Sequence, residues 1–222
     1  LIDETHVDGI ILSSPVTDAP EVLAELERRH IRFVRISPGT NHAMTSSVFM
    51  DDVQAADDMT SHLINQGHKR IGFVIGHPNH MASDQRHFGY RRALDRAGIA
   101  YEPNLVRQGS FDFESGRAAA EALIALPNPP TAIFASNDDM AAGILAYAHA
   151  LGLDVPQDLS VAGFDDTALA SVVWPPLTTI RQPMELAGAA LVQSLMRVFS
   201  EGHSDSEVVS TDLIIRGSTC RA

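Results

Sequence analysis

TAIFASNDDMAAGILAYAHALGLDVPQDLSVAGFDD, residues 131–166, reads as one complete strand–helix–strand unit. AIFAS (132–136) is short, apolar and bounded by turn formers, as a buried strand is. Its end delivers Asn137 and Asp138 to a helix running to about Leu151, and Asn and Asp are favoured helix openers. LSVAGF (159–164) is the next strand, and it ends on Asp165 and Asp166. A helix between two buried strands implies a parallel pair with its connection packed on the sheet.

The same alternation extends in both directions. Upstream lie strand 71–76, a helix over 84–97 closed by Gly98, strand 104–108, and helix 113–126 stopped by the PNPP run at 127–130. Earlier still are strand VDGIILSS (7–14), strand 31–36 and strand 47–50. Helix 18–30 joins the first two, with Asp18 as N-cap and Val22, Leu23 and Leu26 on its inner side, and helix 53–66 follows the third. Downstream, PPLTTIRQP (175–183) is extended. Pro183 opens a helix carrying Leu186, Ala190, Leu191, Leu195 and Val198 to Gly202, and a last strand covers 208–215. Periodicity therefore gives two successive α/β blocks meeting near GHKR at 67–70.

With 45% hydrophobic residues, 222 residues suffice for a substantial core. No run reaches the length of a membrane span, and residues 1–12 carry three acidic residues and no basic leader. Cys220, the one cysteine, rules out an internal disulfide and fits a reducing, cytoplasmic setting. A formal charge of −12 repels nucleic acid. The nearest basic cluster (Arg86, His87, Arg91, Arg92, Arg96) has helical spacing beside acidic residues and reads as a solvated face.

Ligands of open parallel sheets bind beyond the carboxyl ends of the strands. There the sequence places Ser13, Ser14, Asp52, His77, Phe111, Asn137, Asp138, Asp165 and Asp166, with Arg86 and Gln182 flanking. Carboxylates, amides, one arginine and an aromatic face suit a neutral polyol, a sugar or nucleoside. Plainer roles stay open for each. Asp52 and Asn137 are placed as caps, Asp138 and Asp166 as caps or supports, Phe111 as core, Arg86 as an ion-pair partner and Asp165 as a turn residue. Catalysis has little support. His77 and His80 straddle Pro78 without a third metal ligand, no GxSxG elbow occurs, and Gly72 and Gly76 bracket a strand without forming a phosphate loop. A hydrolytic Asp52–Asp165 pair has nothing in the spacing to favour it. No catalytic residue, metal or cofactor is assigned.

Several segments together, in order and spacing, resemble the lactose/galactose repressor family of bacterial transcription regulators. They are VDGIIL (7–12), HLINQGHKRIGFVIG (62–76), SDQRHFGYRRALDRAGI (83–99), the 131–166 unit, PPLTTIRQP (175–183) and LIIRGST (213–219). The resemblance implies an effector-binding core of periplasmic-binding-protein type, two doubly wound parallel-sheet lobes joined by three crossovers. Lobe one would hold residues 1–67 and helix 183–202, and lobe two 68–179 and the final strand 208–216. It implies ligand-binding roles for Asp52, Arg86, Phe111, Asn137, Asp165 and Gln182, with the effector between the lobes. It implies a homodimer and operator DNA bound through a helix-turn-helix headpiece, with no membrane partner. Family members carry a headpiece, and then about forty residues before the strand matching VDGI. Lobe one is thus expected to lack its first elements, leaving strand edges unpaired and apolar surface exposed. A solute-binding protein of a sugar transport system is the alternative reading. Two carboxylates at the site point to an uncharged, hydroxyl-rich effector.

Overall fold

The computed structural model describes residues 7–39, 45–202 and 205–222; residues 1–6 of the expected first lobe lie outside them. The chain forms two compact units, Leu1–Asp51 with Pro183–Ser210, and Asp52–Gln182 with Thr211–Ala222, so it crosses between them three times.

The first unit is a parallel sheet of β1 (Gly9–Leu12), β2 (Arg32–Ile36), β3 (Ser47–Met50) and β9 (Glu207–Val209), in that order. Neighbouring residues of β2 serve opposite faces, as the strand's two-residue period requires. Phe33 packs with Leu23 and Leu26 of α1 (Pro20–Arg28), whereas Val34 packs with Ala187, Ala190 and Leu191 of α7 (Met184–Glu201). Asp18 does not cap α1: the N-cap is Ala19, and the Asp18 carboxylate accepts from the Gly39 amide at 2.8 Å. Pro20 opens the helix instead: its ring presets the helical φ, and at N1 its missing amide is one that the helix start leaves unpaired anyway. Among the described residues β1 pairs only with β2. Of the apolar residues that α7 carries, Leu186 is exposed with Met184, Val192 and Met196, while Ala187 is buried.

The second unit has the sheet order β5-β4-β6-β7: β4 (Ile71–Ile75), β5 (Val106–Gln108), β6 (Ala132–Ala135) and β7 (Ser160–Ala162), all parallel. One face packs against α4 (Phe113–Ile124) and α5 (Asp138–Ala150) through Val74, Ile133, Leu123, Ile144 and Val161. The other packs against α2 (Asp52–Asn65) and α3 (Met81–Arg96) through Phe73, Phe134, Met59, Tyr90 and Leu94. Helices on both faces of a parallel sheet make each unit doubly wound, as the sequence indicates. The last strand is not continuous. Its first half is β9 in the first unit, and its second half is β10 (Asp212–Ile214), antiparallel to β8 (Thr179–Arg181) in the second.

Helix α2 groups with the second unit, whereas a boundary at residue 67 puts it with the first. A composition break marks where a helix stops, not which body it packs against. The packing is decided by a close crossing of α2 and α3. At Gly89 an added Cβ would fall 2.2 Å from the Val53 carbonyl oxygen. Further along, buried Asp57 pairs with Arg92 at 2.7 Å and with Arg96. The basic face keeps Arg91 and Arg96 exposed, as expected, yet Arg92 and Arg96 fasten α2 and Arg91 lies over the Tyr101 ring; Arg86 departs from that reading, being buried. Because the obstruction at Gly89 is backbone, Gly89→Ala should destabilise by about 1–3 kcal/mol. Urea unfolding should show this as a lower midpoint with unchanged slope.

Candidate functional site

In the second unit the strand order turns between β4 and β6. From β4 the chain moves outward to β5, and from β6 it moves to the opposite side. Loops leaving the carboxyl ends of two such strands diverge and open a crevice. Asp52, Arg86, Phe111, Asn137, Asp165 and Gln182 all belong to this unit; the Arg86 guanidinium meets Asp52, Phe111 and Asp165, while Asn137 joins through Phe111 and Gln182 through Asp165.

Arg86 is 4% exposed on α3. Its Nε donates to Asp52 Oδ1 at 2.6 Å and its Nη1 to the Ser136 carbonyl at the end of β6. The same Nη1 stands 3.5 Å from Asp165 Oδ1. The cation lies 3.7 Å from the Phe164 ring centroid and 5.8 Å from that of Phe111. Asp52 is the first residue of α2 and is buried. One cation thus faces two carboxylates, and the acidic side is in excess.

Phe111 follows β5 with φ of 63°, a left-handed conformation that a bulky side chain seldom adopts. Asn137 holds it there by donating its Nδ2 to the Phe111 carbonyl at 2.9 Å. The Asn137 side-chain oxygen accepts from the Met140 amide at 3.0 Å and caps α5. Asn137 is therefore the helix cap on one side and the support of Phe111 on the other, since an amide has a donor end and an acceptor end. The His80 ring meets Phe111 edge-on at 5.5 Å, and His77 lies 5.4 Å from His80. Burial, then the neighbouring His77 and Arg86, hold the His80 pKa below the usual imidazole value.

Asp165 adopts φ of 106° at the end of the β7 loop and keeps 29% of its side chain exposed. Gln182, where the chain leaves the second unit, donates its Nε2 to Asp165 Oδ1. Withdrawal from water pushes the Asp165 carboxyl up to about 6. Arg86 opposes the shift, Asp138 adds to it, Gln182 opposes it and Asp52 adds to it. Asp166 turns the other way, to Arg181 at 2.7 Å and Arg216 at 2.6 Å. Ser13 and Ser14 lie in the first unit, past β1.

Sequence reasoning missed two parts of the cluster. Phe164 reads as a buried strand residue, and nothing in its spacing says that its face carries the arginine. The Ser136 carbonyl is a backbone atom and leaves no residue-type signal.

Two α/β units, one with a polar cluster at its topological switch point, define a bilobal small-molecule-binding fold. Comparison with known proteins agrees. A family model described as "Periplasmic binding protein-like domain" matches residues 60–219. The HTH-type transcriptional repressor CytR of Escherichia coli (strain K12) is 42% identical over 78% of this chain and 51% of its own length. The probable HTH-type transcriptional repressor ExuR of Bacillus subtilis (strain 168) is 33% identical over 96% of this chain and 65% of its own. Among solved structures, the CelR regulator in complex with cellobiose has a TM-score of 0.89 at 32% identity, over 96% of this chain and 66% of that one. The chain therefore spans from about half to about two thirds of the length of these relatives. It belongs to the lactose/galactose repressor family, in its periplasmic-binding-protein-like core. No helix among the described residues is long and apolar enough to cross a membrane.

Two expectations follow from the site's electrostatics. Arg86→Ala leaves Asp52 buried without its cation and should cost about 3–5 kcal/mol of stability by chemical denaturation. For Asp165 the folded-state pKa lies above the ordinary value of 3.8. The folded state then binds more protons, so the contribution of Asp165 to stability is greatest below 3.8 and falls as pH rises to about 6. Asp165→Asn removes this titration. Unfolding measured across about pH 4 to 7 should show the variant gaining on the wild type through that window and holding a constant difference above it.

Proposed function

We propose that this chain is the effector-sensing core of a DNA-binding transcription regulator, and that it takes a small, neutral, hydroxyl-rich metabolite at the Arg86 cluster. The observation that carries the reading is the imbalance around Arg86, one buried guanidinium against Asp52 and Asp165. Hydroxyl groups donate to spare carboxylate oxygens, whereas a phosphate or carboxylate would meet two negative charges. Phe111 offers a flat apolar face for the carbon skeleton of a sugar or the base of a nucleoside. CytR and ExuR are named as helix-turn-helix repressors, and CelR holds a neutral disaccharide, which supports the same class of ligand and output. Operator DNA would be bound through a helix-turn-helix domain outside residues 1–222, by a homodimer, since the net charge of −12 suits the core poorly to DNA. The effector acts by binding one arrangement of the regulator more tightly than another. Phe111, Asn137 and Gln182 serve as the stacking face, its support and the residue linking Asp165 to a crossing.

A thermal-shift panel of neutral pentoses, hexoses, disaccharides and nucleosides, each beside its phosphate ester, tests this proposal. A neutral compound should raise the melting temperature, with a gain that grows with ligand concentration. Phe111→Ala should weaken the response by about tenfold or more in apparent Kd, the equivalent of losing about 1.4 kcal/mol. Stabilisation by phosphate esters alone, abolished on removing the phosphate, would overturn the neutral-ligand assignment.

A further inference from the structure

Three aspartates meet around the loop that follows β7, and only one of them faces Arg86. Asp165 and Asp166 have φ of 106° and 54°, two successive residues in a backbone region that L side chains avoid. Such a conformation persists only where the surroundings over-determine it. Asp165 is tied to β8 by its own backbone, its amide to the Ile180 carbonyl at 2.8 Å and its carbonyl to the Gln182 amide at 3.4 Å. Asp166 is anchored sideways by Arg181 and Arg216.

Beneath the loop lies Asp138, completely buried at the start of α5. Asn137 already caps that helix, so the Asp138 side chain is not needed there. It accepts instead from the Thr179 hydroxyl at 2.7 Å, the Thr167 amide at 2.7 Å and the Thr167 hydroxyl at 3.1 Å. The Thr179 hydroxyl in turn accepts from the Asp166 amide at 3.3 Å. Gly163 leaves room for this carboxylate, since an added Cβ would fall 2.4 Å from Asp138 Oδ1. All three donors to Asp138 are neutral. A buried carboxylate held by neutral donors is a costly choice for packing alone, where an apolar side chain would serve.

We propose that Asp138, acting through the hydroxyl of Thr179, is a positioning residue that holds the Asp165–Asp166 turn in its left-handed conformation and thereby aims the Asp165 carboxylate at Arg86. The turn is held from one side by the Asp138–Thr179 relay and from the other by Asp166 with its two arginines. Asp165 is left to Arg86, Gln182 and the ligand. The inference rests on the reading of the Arg86 cluster as the effector site, but the turn geometry it explains does not depend on which ligand binds.

Carboxyl-detected NMR on the protein labelled with carbon-13 aspartate tests the proposal without any ligand. The Asp165 signal is assigned by its loss in Asp165→Asn. The groups facing Asp165 are Arg86 from α3, Asp138 from α5, Gln182 after β8 and Asp52 from α2, with Arg181 and Arg216 beyond Asp166. Asp138→Asn removes a like charge and one of the two acceptor oxygens that Thr167 and Thr179 share, so Asp165 should titrate below the value of about 6 that its surroundings give it. Thr179→Val keeps the charge and breaks only the relay. It should also shift the Asp165 midpoint, as the loosened carboxylate loses its aim at Arg86 and gains water, and Thr179→Ser should restore the wild-type value. An unchanged Asp165 midpoint in both folded variants would sink the proposal. If Asp138→Asn does not fold, the valine and serine pair decides it alone. A silent effector panel would count against the proposed function and leave this result standing.

Discussion

A buried arginine needs anions and acceptors around it, and that need organises the second unit. Arg86 reaches Asp52 at the start of α2, the Ser136 carbonyl at the end of β6 and Asp165 after β7, while Phe164 lies under its face. Four elements far apart in sequence are therefore fixed by one planar group. The geometry of a guanidinium explains the choice: its donors spread in one plane, and its faces accept an aromatic ring. A lysine would offer a point charge and no such plane. Because low surrounding polarity strengthens each of these contacts, it also makes the absence of any one expensive.

The same need explains why acidic residues crowd one end of the sheet. Asp52 and Asp165 share the cation, Asp166 is anchored by two other arginines, and Asp138 is satisfied by hydroxyl and amide donors. Four carboxylates so close would repel one another strongly if all faced one space. The structure separates them by direction, so only Asp52 and Asp165 meet at Arg86. The raised pKa of Asp165 records chiefly its withdrawal from water, with Asp138 and Asp52 adding to it.

The units also differ in how completely they are covered. In the second, both faces of the sheet carry helices, and the core clusters on either side are continuous. In the first, β1 is an edge among the described residues, and several large apolar side chains of α7 are exposed. Helix α7 has apolar residues around much of its circumference, so its sequence alone does not select which stripe is buried. Ala187, Ala190, Leu191 and Val198 pack with Val34 and Val48 of β2 and β3, while Leu186 lies on the other side of the helix and stays exposed.

The sequence by itself determined the alternation of strands and helices, because apolar runs of strand length and amphipathic runs of helix length differ in period. It also placed Asn137, Asp165 and Phe111 at strand ends, since turn formers and polar pairs bound those runs. Arg86 and Gln182 were placed beside those ends, and the family resemblance then implied ligand-binding roles for them. Only the tertiary structure decided that Arg86 stacks on Phe164 and binds the Ser136 carbonyl, that α2 packs with the second unit, and that 207–214 divides into two strands with different partners. Contacts of this kind join residues about thirty or more positions apart, or involve backbone atoms that every residue carries. Local periodicity has no information about either, because it records which face of an element is apolar and not what that face will meet.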